Sequence, residues 1–232
     1  LPEPAIIGLS ALALSFIPVF SVILFLYFWG LRPGHSLYAN ARMLLQLLVI
    51  GYFLEFIFAS DIWAVLLLLG VMVLVASWIA LGVAPEVRPQ LYLKALLAIG
   101  ISGSLVLALM LKGVMQLKTW YLPQIIVPIA GMIFANTMNA ISLAVDSLYA
   151  DDLRLQDFAK ARNRALRSAL IPITNSLFAV GLVAIPGMMT GQILSGVSPL
   201  IAARYQIMVM CMVFGASGLG TILFLLAVQK SD

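Results

Sequence analysis

The run AVLLLLGVMVLVASWIALG, residues 64–82, carries no charge and no regular alternation of apolar with polar positions. A membrane β-strand alternates over short segments, whereas a helix needs about 20 consecutive apolar residues to cross a bilayer, so this run reads as a transmembrane helix. Comparable segments lie outward from it on both sides. They can be drawn at 6–29, 43–59, 62–83, 91–111, 122–148, 167–185 and 201–228, which makes seven. The whole chain agrees: of 232 residues 63% are hydrophobic and 9% charged, and the mean hydropathy of +1.12 lies outside the range of soluble domains. The expected fold is all-α, a polytopic membrane helix bundle of about seven transmembrane helices in a single domain, 1–232. Residues 6–29 have neither a basic leading region nor a small-residue cleavage site, so they read as a retained span.

The stretch IPGMMTGQILSGVSPLIAARYQI, residues 185–207, interrupts this pattern with Pro186-Gly187 and Pro199. Irregular backbone persists at membrane depth only where protein covers it or where it lines a cavity. Residues 186–200 are therefore expected to form a broken connection between the last two spans, as a pathway or moving part. Gly187 and Gly191 have the GxxxG spacing that lets helix backbones approach closely. Met188 and Met189 could ligate a soft ion, but no Cys or His cluster accompanies them, and methionine also fills mobile packing surfaces. A packed gate is the favoured reading. The sequence GQILSGVS at 191–198 mimics a phosphate-binding loop but has Val197 where the lysine must stand. Cys211 has no partner cysteine, and reads as a small packed side chain.

Lys and Arg placement orients the chain. With the N-terminus outside, the cytoplasmic side receives Arg32, Arg42, Arg88, Lys94, Arg154, Lys160, Arg162, Arg164, Arg167 and Lys230. The other side receives only Lys112, Lys118 and Arg204, so the C-terminus is expected in the cytoplasm. Trp29, Trp63, Trp78, Trp120 and Tyr121 fall near span ends, where amphipathic rings prefer to lie. The basic balance serves topology here, and nucleic acid is not implied.

Polar groups inside the spans are sparse and patterned. Asn136, Asn139 and Asp146 fall near one helical face and are expected to point into protein. Thr174 and Asn175 follow Pro172 in the sixth span. Either these side chains hydrogen-bond neighbouring helices or they line a polar pathway, and Asp146 is the stronger functional candidate because an ionisable group in a span is costly. The one long polar segment is DDLRLQDFAKARNRALR, residues 151–167. Asp151 and Asp152 lead it and its cations come late, which suits a short helix and its dipole. It reads either as a topology-fixing loop or as a docking helix for a cytoplasmic partner.

Several chemistries are excluded. His35, the only histidine, lies in the first cytoplasmic loop beside Pro33-Gly34, so a two-His zinc site cannot be assembled and a Ser-His site within the spans is not expected. Glu55 and Asp146 are poorly matched in depth for a carboxylate pair that must share a proton.

Four blocks, at residues 41–58, 126–143, 165–199 and 203–209, cover about a third of the chain. They resemble the FetB-like permeases of bacterial ABC-type iron exporters, which are related to plant aluminium-tolerance permeases. The block from PGMM through YQIMV is the most specific. The resemblance implies a non-enzymatic transport subunit in a bacterial inner membrane, working with a second copy of itself and a cytoplasmic ABC ATPase. ATP and Mg would belong to that ATPase, with no cofactor in this chain. It also implies a coupling segment at 150–166, with Asp151, Asp152, Arg154, Asp157, Arg162 and Arg164 as docking residues. Relatives carry a longer loop with a Leu-Gly-Ala turn there, which this chain lacks. Asn136, Asn139, Asp146, Thr174 and Asn175 become candidates for the pathway. Pro186, Gly187, Met188, Met189, Gly191 and Gln192 become candidates for a gate or dimer core. The implied cargo is iron or a related metal ion, with no dedicated ligand set identified. A nucleotide-sugar permease, as among the plant relatives, and a self-sufficient channel or carrier are the alternatives.

Overall fold

The computed structural model describes residues 8–58, 61–119, 121–150 and 153–229. Trp120, Asp151, Asp152 and Lys230 lie outside the described residues, as does the side chain of Glu55. The described chain is helical almost throughout. Its one β-type pairing is an isolated bridge between Val180 and Ala184. Two compact units are distinguished, Leu1–Ala59 and Ser60–Asp232.

In the first unit, helix α1 (Leu9–Leu14) leads into α2 (Ile17–Phe28) and α3 (Pro33–Phe58). Helix α2 is apolar all round and buries none of its residues, the pattern of a membrane span. It ends where Gly30 adopts φ +70°. The Leu31 N–H then donates to Leu26 O at 2.9 Å and the Gly30 N–H to Tyr27 O at 3.1 Å, the Schellman pattern. Pro33 opens α3 because a first-turn proline loses no helical hydrogen bond. Residues 33–42, which lie between the expected spans, are therefore helical, and the span expected from 43 is the later part of a longer helix.

The second unit contains α4 (Ile62–Ala80), α5 (Arg88–Ala108), α6 (Pro123–Leu148), α7 (Leu153–Gln156), α8 (Phe158–Ala179), α9 (Gly187–Leu194) and α10 (Pro199–Gln229). A 3₁₀ turn, Leu81–Val83, extends α4, and a π turn, Leu109–Val114, extends α5. Among the described residues five segments are long and apolar enough to cross a membrane: Ser10–Phe28, Ile62–Val83, Arg88–Val114, Pro123–Leu148 and Pro199–Gln229. The other two expected spans fall in α3 and α8. In α8 the residues after the last cation, 168–179, rise only about 18 Å, against the roughly 30 Å of a hydrocarbon core.

Small side chains let the helices of this unit come close. Ser102, Thr137 and Gly220, from α5, α6 and α10, meet where those helices cross. The two hydroxyls are satisfied within their own helices: Ser102 Oγ donates to Ala98 O at 2.6 Å and Thr137 Oγ1 to Ile133 O at 2.8 Å. Helix α8 buries Ala161, Ala165 and Ala169, and α6 contributes Ala130, Ala140 and Ala144 to the same core. This small-residue seam replaces the hydrophobic drive that lipid removes.

Residues 153–167 do not form one helix. Asp157 breaks the segment with an extended φ of −149° and caps α8, its side chain accepting from the Lys160 N–H at 3.0 Å. That bond, reinforced by the Lys160 ammonium at 3.1 Å, holds the Asp157 carboxyl below the usual aspartate value of 3.8. A lowered folded value means that the cap is fully formed at neutral pH and is lost as pH falls through the folded value. Hydrogen exchange at the Lys160 amide should accelerate in acid relative to mid-α8 amides, and Asp157→Ala should produce the same fraying at neutral pH.

Candidate transport path

Helix α6 is two-sided. Ile126, Ile133, Ala140, Ile141 and Ala144 are buried, while Asn139 and Asp146 are exposed and Asn136 is half-buried. The three polar residues do share a face, but that face points out of the unit, contrary to expectation. The apolar and small residues occupy the inward stripe, which leaves the amides and the carboxylate outside. Asn136 meets part of its own need by donating from Nδ2 to Met132 O at 2.8 Å.

The neighbouring α8 continues this polar surface. Ser168 Oγ donates to Ser147 Oγ at 3.3 Å, and Arg164 Nη2 to Ser147 O at 2.8 Å. These bonds fix the antiparallel register of α6 against α8. Eight residues further along each helix, about 12 Å deeper, Asn139 lies level with Asn175 and Ser176. Asn175 is exposed and Thr174 half-buried. The structure thus brings Asn139 and Asn175 to one depth on adjacent helices, with Asp146 nearer the end that carries the cations.

That end is strongly basic. Arg154 donates to the Tyr149 hydroxyl at 2.7 Å and its guanidinium sits 4.5 Å from the Tyr149 ring centre. Arg162 Nη1 donates to Gln229 Oε1 at 3.5 Å, so the last turn of α10 lies beside the first turns of α8. Arg88 stacks 4.4 Å from the Trp78 ring centre, which ties Trp78 to a charged helix start. Of the expected docking residues, Arg154, Arg162 and Arg164 share this end with Asp157.

The connection after α8 is an ordered construction. Gly181, at φ +81°, turns the chain, and its N–H donates to Ala184 O at 2.9 Å. Pro186 caps α9 from outside, and α9 closes at Gly196, φ +90°, where the Val197 N–H donates to Gln192 O at 3.0 Å. Ser198 then caps the next helix, its Oγ accepting from the Ile201 N–H at 3.4 Å, with Pro199 as the first helical residue. Pro199 therefore starts a helix and does not break one. Gly187 and Gly191 face open space: nothing lies within 4 Å of a Cβ placed on either. Met188 is 38% exposed, whereas Met189 and Gln192 are half-buried.

Beside α9 lies a cavity of about 330 Å³ walled by the end of α8, the following turn, α9 and α10. It draws in Met189 and Cys211, which is exposed and not packed as expected. It also includes Gln206, which the sequence reading passed over although an amide inside an apolar run was a usable signal. Gln206 is only 6% exposed.

The profile described as "Uncharacterised protein family (UPF0014)" matches residues 9–158 and 153–231. The chain belongs to the UPF0014 family. The two matched stretches overlap at 153–158, so the break in the match falls at the α7–α8 loop. The UPF0014 chain is 37% identical to the UPF0014 membrane protein slr1647 of Synechocystis over 219 residues, covering 87% of this chain and 85% of the relative. It is 31% identical to the Probable iron export permease protein FetB of Escherichia coli over 204 residues, 81% and 77% of the two chains. Protein ALUMINUM SENSITIVE 3 of Arabidopsis thaliana is 34% identical over 207 residues, 82% and 74%. No solved structure matches. The resemblance drawn from the four sequence blocks is borne out, and with its apolar helices the UPF0014 chain is a multi-pass membrane protein.

Proposed function

We propose that the chain is the permease subunit of an ABC transporter that exports iron or a related metal ion, paired with a second copy of itself and driven by a separate cytoplasmic ATPase. It sits in a bacterial inner membrane with its N-terminus outside and C-terminus inside. The observation that carries this reading is the outward polar stripe, Asn139 and Asp146 on α6 with Asn175 on α8. Groups of this kind at membrane depth face protein or a water-filled path, since lipid cannot satisfy them. A second copy set against this stripe would cover it and enclose a path between the two. The relationship to FetB supports a permease and supplies the cargo class.

In this arrangement Asn139 and Asn175 offer oxygen donors to a hard or borderline cation, and Asp146 supplies the negative charge near the cytoplasmic mouth. Gly187 and Gly191 permit close contact across the pair, while Pro186, Met188, Met189 and Gln192 move with α9 as the gate. The basic end with Arg154, Asp157, Arg162 and Arg164, together with Asp151 and Asp152, meets the ATPase. ATP and Mg are bound there and not by this chain.

The test is co-purification with the cognate ATPase, followed by ATP-dependent movement of Fe(II) in proteoliposomes. Failure to form any complex removes the proposal. Within an active complex, Asp146→Asn should reduce metal-stimulated ATP hydrolysis by about tenfold, equivalent to ~1.4 kcal/mol of lost interaction. An unchanged response takes Asp146 out of the path.

A further inference from the structure

We infer that the cavity between α9 and α10 is a binding site for a soft, thiophilic monovalent cation of the Cu(I) or Ag(I) type. Three sulfur-bearing residues, Met189, Met210 and Cys211, line it together with Gln206. In sequence the methionine pair lacks a thiol or imidazole nearby, which is why packing was the natural reading. The fold removes that objection. It lays α9 back against α10 and brings Met189 to a wall that holds Cys211, from a helix beyond the next turn.

The spacing on α10 makes this wall a built feature. Ala203, Gln206, Ile207, Met210 and Cys211 recur at three- and four-residue intervals, so they form one stripe toward the cavity. Gln206 adds an independent sign of a ligand. It is more than nine-tenths buried, and its Oε1 has no hydrogen-bond partner among the described residues. Buried acceptors are rarely left so, and this one is suited to a group that enters the cavity.

The donor set selects the ion. Thioether and thiolate sulfur favour soft cations, while carboxylate and water oxygen favour hard ones. Among the described residues no group of three His, Cys, Asp or Glu side chains could hold a metal, and the donors that residues lining this cavity carry are two thioethers, one thiol and one amide oxygen. On binding, a metal–Sγ bond forms as the Cys211 thiol releases its proton to water, and no electron is transferred. The cavity, about 330 Å³, is larger than a bare ion and admits one with a small ligand still attached. This inference does not depend on the transport reading, because the site is formed within one chain.

The test is titration of the purified full-length chain in detergent with Ag(I) in chloride-free buffer, together with X-ray absorption at the silver edge. One Ag(I) per chain should bind, with two or three sulfur neighbours. Met189→Leu and Met210→Leu conserve volume, and each should weaken binding by at least about tenfold, the loss expected from removing even an outer-shell partner. Cys211→Ser should weaken it further, and Met188→Leu, outside the wall, should leave it unchanged. The inference is overturned if the wild-type chain takes up no Ag(I), if its silver has a single sulfur neighbour, or if both methionine variants bind as the wild type does.

Discussion

Gly220→Ala should lower the stability of the detergent-solubilised chain by about 3 kcal/mol, the upper end of what overpacking a core costs, and Gly220→Val should leave no folded protein. A Cβ at this position would overlap Thr137 Cγ2 and stand 2.8 Å from Ser102 Oγ. Neither neighbour moves freely, because each hydroxyl is bonded to its own helix four residues back. The strain would therefore spread into α5, α6 and α10 together. Gly215→Ala is the control. Nothing lies within 4 Å of a Cβ there, and alanine is the better helix former by about 1 kcal/mol. Thermal midpoints of the two variants should move apart. Adding Thr137→Ser, which removes the methyl, should recover part of the Gly220→Ala loss. Equal midpoints for Gly220→Ala and the wild type would disprove the close crossing.

The second large effect belongs to Ala165→Leu. Ala165 is fully buried on α8, between Ala161 and Ala169. A leucine has no room there and must push α8 away from the core, at about 1–3 kcal/mol. The bonds that set its register would stretch with it: Arg164 to Ser147 O, Ser168 to Ser147, and Arg162 to Gln229. Hydrogen exchange should rise along all of α8. Because Asn175 rides on the same helix, ATP-dependent transport should fall with it in the reconstituted complex. Ile171→Leu, at a position 52% exposed, should change neither measurement. An Ala165→Leu chain with wild-type exchange would show that α8 is loosely held.

Much of this fold is written in composition. Long apolar runs declare membrane helices, because the other structure that satisfies its backbone in lipid, the closed β-barrel, alternates apolar with polar residues, and α4, α5, α6 and α10 follow from them directly. Direction is where expectation and structure part, since the polar face of α6 was expected to turn into protein and turns out of the unit. Asn136, Asn139 and Asp146 were correctly placed on one face, but a lone helix does not say whether that face turns inward. The answer came from the alanines and isoleucines opposite, which compete better for the core. Helix starts were misjudged for a related reason. Residues 33–42 carry Arg42 and His35, which signal a loop by hydropathy, yet Pro33 and good helix formers extend α3 through them. Asp157 entered only as a docking residue implied by the resemblance, although an Asp just ahead of the helical run 158–167 is also an N-cap signal. Met210 and Cys211 were legible only as apolar-run residues and Gln206 as an amide among them, since their common wall depends on α9 folding back.

The closure of α9 at both ends has a consequence for how its length can vary. Pro186 fixes where the helix begins, the Gln192–Val197 bond fixes where it stops, and Ser198 commits the next helix at once. One residue inserted between these points would swing the exit by about 100° and send α10 off its axis, whereas three or four would add a near-complete turn and restore the direction. The segment therefore behaves as a ratchet in sequence space, open to lengthening by whole turns and closed to single steps.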